Sequence, residues 1–174
     1  DYLTEGLVRT AVDSVRRVLR DPCDYDARAN LMFAATVANG PGIGLGKQAD
    51  WASHRIEHEL SALYDVPHGA GLAVVYPNWM AYAAEKDPSR FAHFARAVWD
   101  VPAELEDDMA AAKAGIAQMR AFFTEIGAPA TLEQLGVPAD QIPHMARQAV
   151  RFGALGSYCK LDAAAVEQIL NMCR

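Results

Sequence analysis

The segment Asp50-Trp51-Ala52-Ser53-His54-Arg55-Ile56-Glu57-His58-Glu59-Leu60, with Asp65-Val66-Pro67-His68-Gly69 close behind it, decides how the rest of the chain is read. Three of the five histidines fall between residues 50 and 68. His54 and His58 are four apart, so on a helix they share a face one turn from each other. Pro67 disfavours helical geometry at Val66, which predicts a helix from about Asp50 to Tyr64 and leaves His68 on the turn beyond it.

Working outward, the same helical period recurs on both sides. Leu3, Leu7, Val8, Ala11, Val12, Val15 and Leu19 make an apolar stripe from Tyr2 to Arg20, ended by Asp21-Pro22. Asp24 has the chemistry of an N-cap for a second helix, Tyr25 to about Val37, apolar on Leu31, Met32, Ala35 and Ala38. Glycines at 40, 42, 44 and 46 then break the chain. A phosphate loop would need glycine at 41, which is proline, and Ser or Thr at 48, which is Gln. A dinucleotide turn would need glycine at 47, which is Lys, so this stretch is read as a helix-to-helix turn.

Downstream, further helices are expected over Gly71 to Ala84 with a kink at Pro77, Asp87-Pro88 to Trp99, Leu105 to Ile126, Gln141 to Phe152, and Asp162 to Cys173. Thr131-Leu132-Glu133-Gln134 fits a capping box opening a one-turn helix. No segment sustains period-two alternation. The fold class is therefore all-α, a single helical domain over 1–174 with eight or nine short helices.

The formal net charge of −6 argues against a general nucleic-acid binder. No apolar run approaches the length of a membrane span, and no basic-then-apolar leader opens the chain. Cys23, Cys159 and Cys173, odd in number and without CxxC spacing, read as reduced thiols of a cytoplasmic protein.

A helical His-x₃-His pair with a third histidine nearby suits Zn²⁺ or Fe²⁺, because neutral imidazole nitrogens are good ligands for both. The competing readings are ordinary surface or core histidines, and a peptidase-like site. His54-Arg55-Ile56-Glu57-His58 spells H-x-x-E-H, in which two histidines would hold zinc and Glu57 would act as base. That motif leaves His68 without a role. A non-catalytic helical interaction module is the third reading.

The run Asp50 to Ala62, then Asp65 to Gly71 and Pro77 to Met80, resembles the group III, iron-containing alcohol dehydrogenases, nearest to bacterial NADPH-dependent butanol dehydrogenases. Asp21-Pro22 with Asp24-Tyr25-Asp26-Ala27-Arg28-Ala29-Asn30 is similar to the same branch. The resemblance implies interconversion of short-chain alcohols and aldehydes with NAD(P)H, and a metal held by one aspartate and three histidines. His54 and His68 occupy the places of the last two ligands. The first two form an Asp-x₃-His on an earlier helix; Asp50 and His54 have the spacing, but Asp50 belongs to the Asp-Trp pair that precedes the third ligand, and no other Asp-x₃-His lies upstream, where the family would need it. The chain is thus expected to be a C-terminal helical domain lacking its N-terminal nucleotide-binding partner, and to be inactive alone. The resemblance extends to a homodimer.

His58, one turn from His54, is the candidate proton relay, with orientation of a metal ligand as its equal alternative. Trp51, Tyr64 and Trp79 are expected in the core or at a substrate pocket. His93 and His144 are expected to be ordinary, without clustered partners, and Asp50 and Asp65 to be helix-end or surface carboxylates.

Overall fold

The computed structural model describes residues 1–174 and contains eight α-helices and no strand. In chain order they are α1 (Tyr2–Arg20), α2 (Tyr25–Asn39), α3 (Ala52–Tyr64), α4 (His68–Ala84), α5 (Ser89–Trp99), α6 (Asp108–Glu125), α7 (Ile142–Ala149) and α8 (Ala163–Met172). Short 3₁₀ turns cover Pro41–Gly44 and Ala139–Gln141. The only sheet-like pairing is one antiparallel bridge between Leu155 and Leu161.

The centre of the bundle is α4. It packs against α3 on one side and against α6 and α8 on the others, while α7 closes over α3. Ten of its seventeen residues are buried, which is why no one-sided stripe marks it in the sequence. The main core runs through Ile56, Leu60, Val74, Val75, Met80, Met145, Leu161, Val166 and Ile169. A smaller cluster lies between α5 and α6, around Ala92, Ala95 and Ala111.

The helix starts follow the capping chemistry. Asp24 accepts from the Ala27 amide, Asp107 from Met109 and Asp162 from Ala165. Helix α1 has the predicted bounds. Its partner α2 does not bury the expected face: Ala27 and Ala34 are buried, whereas Met32, Phe33, Ala35 and Ala38 are exposed. The two buried alanines are seven residues apart, about two helical turns, so they share one face of α2, the helix that packs against α1.

Three further expectations need correction. Helix α4 begins at His68, not at Gly71, with Pro67 in the N-cap position. Proline tolerates a helix start because its missing N–H would be unpaired there anyway. Residues 131–136 form turns instead of a one-turn helix. Thr131 Oγ1 accepts from the Gln134 amide at 3.3 Å, but the Gln134 side chain accepts from Ala130 instead of closing the reciprocal bond. Helix α6 starts at Asp108, three residues later than expected, because Asp107 takes the cap.

Candidate metal centre

The site is built by the connection between α3 and α4. On α3, Ala52, Ile56 and Leu60 recur every four residues and are buried, which fixes the rotation of the helix about its axis. That rotation leaves half-buried His54 and exposed His58 on the adjoining face. Asp65 then ends the helix in the left-handed region at φ 53°, a conformation that Asp tolerates better than most residues. Only Val66 and Pro67 follow before α4 begins, so the chain reverses within three residues and His68 returns to the histidines of α3.

The three imidazoles converge. The ring centroids of His54 and His68 are 5.4 Å apart, and those of His58 and His68 are also 5.4 Å apart. Trp51 lies edge-on to His54 at 5.1 Å. Donor atoms of Glu57, His58 and His68 all lie within 4.8 Å of one another. Burial holds the His54 imidazole below its ordinary pKa, and His68 and His58 add to that effect. The neutral ring is the form that can ligate a metal. His54 Nδ1 is itself buried and has no hydrogen-bond partner.

Glu57 lacks the setting that the competing H-x-x-E-H reading needs. Its side chain is 0% exposed. Oε2 pairs with Nδ1 of His68, and the Ser61 hydroxyl lies 2.5 Å from Oε1 and 2.8 Å from the Val66 carbonyl. A general base of an H-x-x-E-H site must reach a substrate water, and this carboxyl group faces inward with both oxygens engaged. The signal was present in the sequence: position 57 falls on the buried side of the helix beside 53, 56 and 60, where an acid is rare without a partner.

The remaining candidates separate cleanly. Asp50 accepts from the amides of Ala52, Ser157 and Tyr158, each at 2.8 Å, and so ties the 155–161 loop to the start of α3. Asp65 is the α3 C-cap. Trp51 is 61% exposed, while Trp79 is buried, stacked on Tyr76 and edge-on to Phe91. Trp79 also lines an open hollow of about 760 Å³ with Tyr76, Phe91, Lys47 and Arg90. Tyr64 is half-buried against the main core. His58 faces a second hollow, about 370 Å³, with Arg55, Arg151 and Phe152. His144 is exposed on α7. His93 does have partners, contrary to expectation: its Nε2 is 2.7 Å from Glu5 Oε1, and Asp1 is near both.

Chemically, the residues present fit a divalent transition metal. Imidazoles on two helices converge, one has its pKa lowered by burial and carries an unpaired buried nitrogen, and another is paired with a buried carboxyl group. Fold and site together define an all-α domain with a histidine-lined junction between two central helices.

The chain belongs to the iron-containing alcohol dehydrogenase family: residues 1–173 match the model of the Fe-containing alcohol dehydrogenase family, C-terminal. NADH-dependent butanol dehydrogenase A of Clostridium acetobutylicum is 37% identical over 174 residues, covering 98% of this chain and 44% of that protein. A crystal structure of NADH-dependent butanol dehydrogenase A from Thermotoga maritima superposes with a TM-score of 0.88 at 36% identity, covering 97% of this chain and 44% of the other. The aldehyde reductase YqhD of Escherichia coli gives a TM-score of 0.90 at 30% identity over 98% of this chain and 45% of the other. The chain therefore spans a little under half the length of these relatives. The butanol dehydrogenases carry NADH in their names and YqhD carries NADPH, so the NADPH of the expected branch is not singled out.

Proposed function

We propose that this domain carries half of the metal site of an NAD(P)H-dependent alcohol dehydrogenase or aldehyde reductase acting on short-chain alcohols and aldehydes. The observation that carries the reading is the approach of His54 and His68, 5.4 Å between rings, from two helices joined by a three-residue turn. His54 and His68 are the ligands in this reading. The two others lie outside residues 1–174, in the same protein, as does the nucleotide-binding domain.

A bound Fe²⁺ or Zn²⁺ would polarise a carbonyl oxygen and favour the negative charge that develops on it. NAD(P)H, held mainly by the other domain, would supply the hydride. This chain's own residues do the rest. His54 and His68 present imidazole nitrogens from rigid helices, so the site is organised before substrate arrives. His58, exposed on the same face, delivers the proton that completes the alcohol and recovers it from solvent; imidazole is suited to exchange protons near neutral pH. The hollow beside His58, bounded by Arg151 and Phe152, gives that exchange a path to water.

The test measures metal content and aldehyde-dependent NAD(P)H oxidation in the full-length protein. His54→Ala and His68→Ala are expected to lose metal and turnover together. His58→Ala is expected to keep the metal, lower kcat and alter its pH profile. If His58→Ala strips the metal and His68→Ala does not, the ligand assignment fails and the H-x-x-E-H reading returns.

A further inference from the structure

Glu57 is the only fully buried charged side chain of the domain. Burying a carboxyl group costs free energy unless its oxygens are matched, and here they are matched by Ser61 and His68. The space it occupies is made by another residue. A Cβ built on Gly71 would overlap Oε1 of Glu57 and lie 2.7 Å from its Cγ and 2.9 Å from its Cδ. Gly71 has no need of glycine for its backbone, since it sits inside α4 and is not among the positive-φ residues. Glycine there serves close approach.

We infer that Glu57 is a positioning residue for His68, seated by Gly71 and braced by Ser61. It accepts the Nδ1–H hydrogen bond and so selects the tautomer whose Nε2 carries the free lone pair. The inference rests on the reading of His68 as a ligand. It differs from a packing role in one checkable way: a packing role needs only the volume of Glu57, whereas positioning needs a hydrogen-bond acceptor.

The experiment is Co²⁺ binding to the metal-stripped full-length protein, followed by visible absorption and by competition with a chelator, alongside thermal unfolding. Glu57→Met keeps the volume and removes the acceptor; it is expected to weaken Co²⁺ about 10–100-fold without lowering Tm. Glu57→Gln keeps an oxygen for His68 and an amide for Ser61, and is expected to remain nearer to wild type. Gly71→Ala leaves Glu57 chemically intact but displaces it, and is expected to weaken Co²⁺ as well. Wild-type affinity in Glu57→Met, with binding lost in His68→Ala, overturns the inference. Should Glu57→Met not fold, unchanged affinity in Gly71→Ala overturns it equally. Failure of the wild-type protein to bind Co²⁺ removes the metal-site reading itself, and the inference with it.

Discussion

Replacing Gly115 by alanine sets two physical effects against each other, and the structure decides between them. Gly115 lies in the middle of α6, where alanine is favoured over glycine by about 1 kcal/mol in an isolated helix. In the folded domain it faces Ala95 of α5, which is completely buried. A methyl group at 115 would overlap the Ala95 Cβ and lie 2.8 Å from its Cα. Carbon atoms pack at roughly 3.5–4.0 Å, so the helices must part by about 1 Å. No rotamer change relieves this, because one of the atoms is backbone. Overpacking costs about 1–3 kcal/mol, and this contact belongs at the upper end. The net expectation is a loss of about 2 kcal/mol, or about 4–8 °C in Tm for a chain of this size. Urea unfolding followed by circular dichroism should show a lower midpoint with an unchanged slope. Ala95→Gly in the same chain should recover part of the loss, giving a favourable coupling energy in the double-mutant cycle. A Gly115→Ala variant more stable than wild type would show that α5 and α6 do not approach as described.

Three other outcomes follow from the same structure. Asp50→Ala removes the acceptor for three backbone amides and should cost about 1–3 kcal/mol, read by urea unfolding, with faster amide exchange at Ser157 and Tyr158. The Cys173 thiol is pushed up to about 12 by burial, and burial also raises Cys159, while Cys23 is exposed. A chromogenic disulfide at pH 8 should therefore modify Cys23 first and Cys173 only on unfolding; mass spectrometry of the early product checks this. Asp24 is held below its ordinary range by the Ala27 amide and then Arg17, Asp100 by Arg9, and Glu125 by Arg16. Carboxylates lowered on folding contribute stability that is present above their unfolded values, roughly 4, and lost as pH falls through the folded ones. The urea midpoint should thus drop as pH is lowered from about 5 to 3, and less steeply in a triple Asn/Asn/Gln variant.

Much of this architecture is legible in the sequence because proline and capping carboxylates punctuate it. Asp21-Pro22, Asp24 and Asp162 place their helix boundaries to within a residue or two. The errors arise where a tertiary contact overrides a local rule. Gly69 reads as part of a turn and Gly71 as the start of a helix, yet both lie inside α4, and Gly71 is small because Glu57 occupies the space beside it. Helix α2 is rich in apolar residues on several sides, so its buried face is set by where α1 can approach, which no periodicity reveals. For the site, the spacing of His54, His58 and His68 was readable from helix geometry. The pairing of Glu57 with His68 depends on the reversal at Asp65 and was not. His93 and Glu5 are 88 residues apart in sequence and meet only through the packing of α1 on α5.

The central claim is that His54 and His68 share one metal ion. The most direct measurement is anomalous diffraction from crystals of the full-length protein, with data at the iron and zinc absorption edges. A single peak about 2.0–2.2 Å from a nitrogen of His54 and a nitrogen of His68, with Glu57 behind the His68 ring and off the ion, is the predicted result. A peak bound by His58 or Glu57 and not by His54, or no peak at this junction in an active preparation, would contradict it.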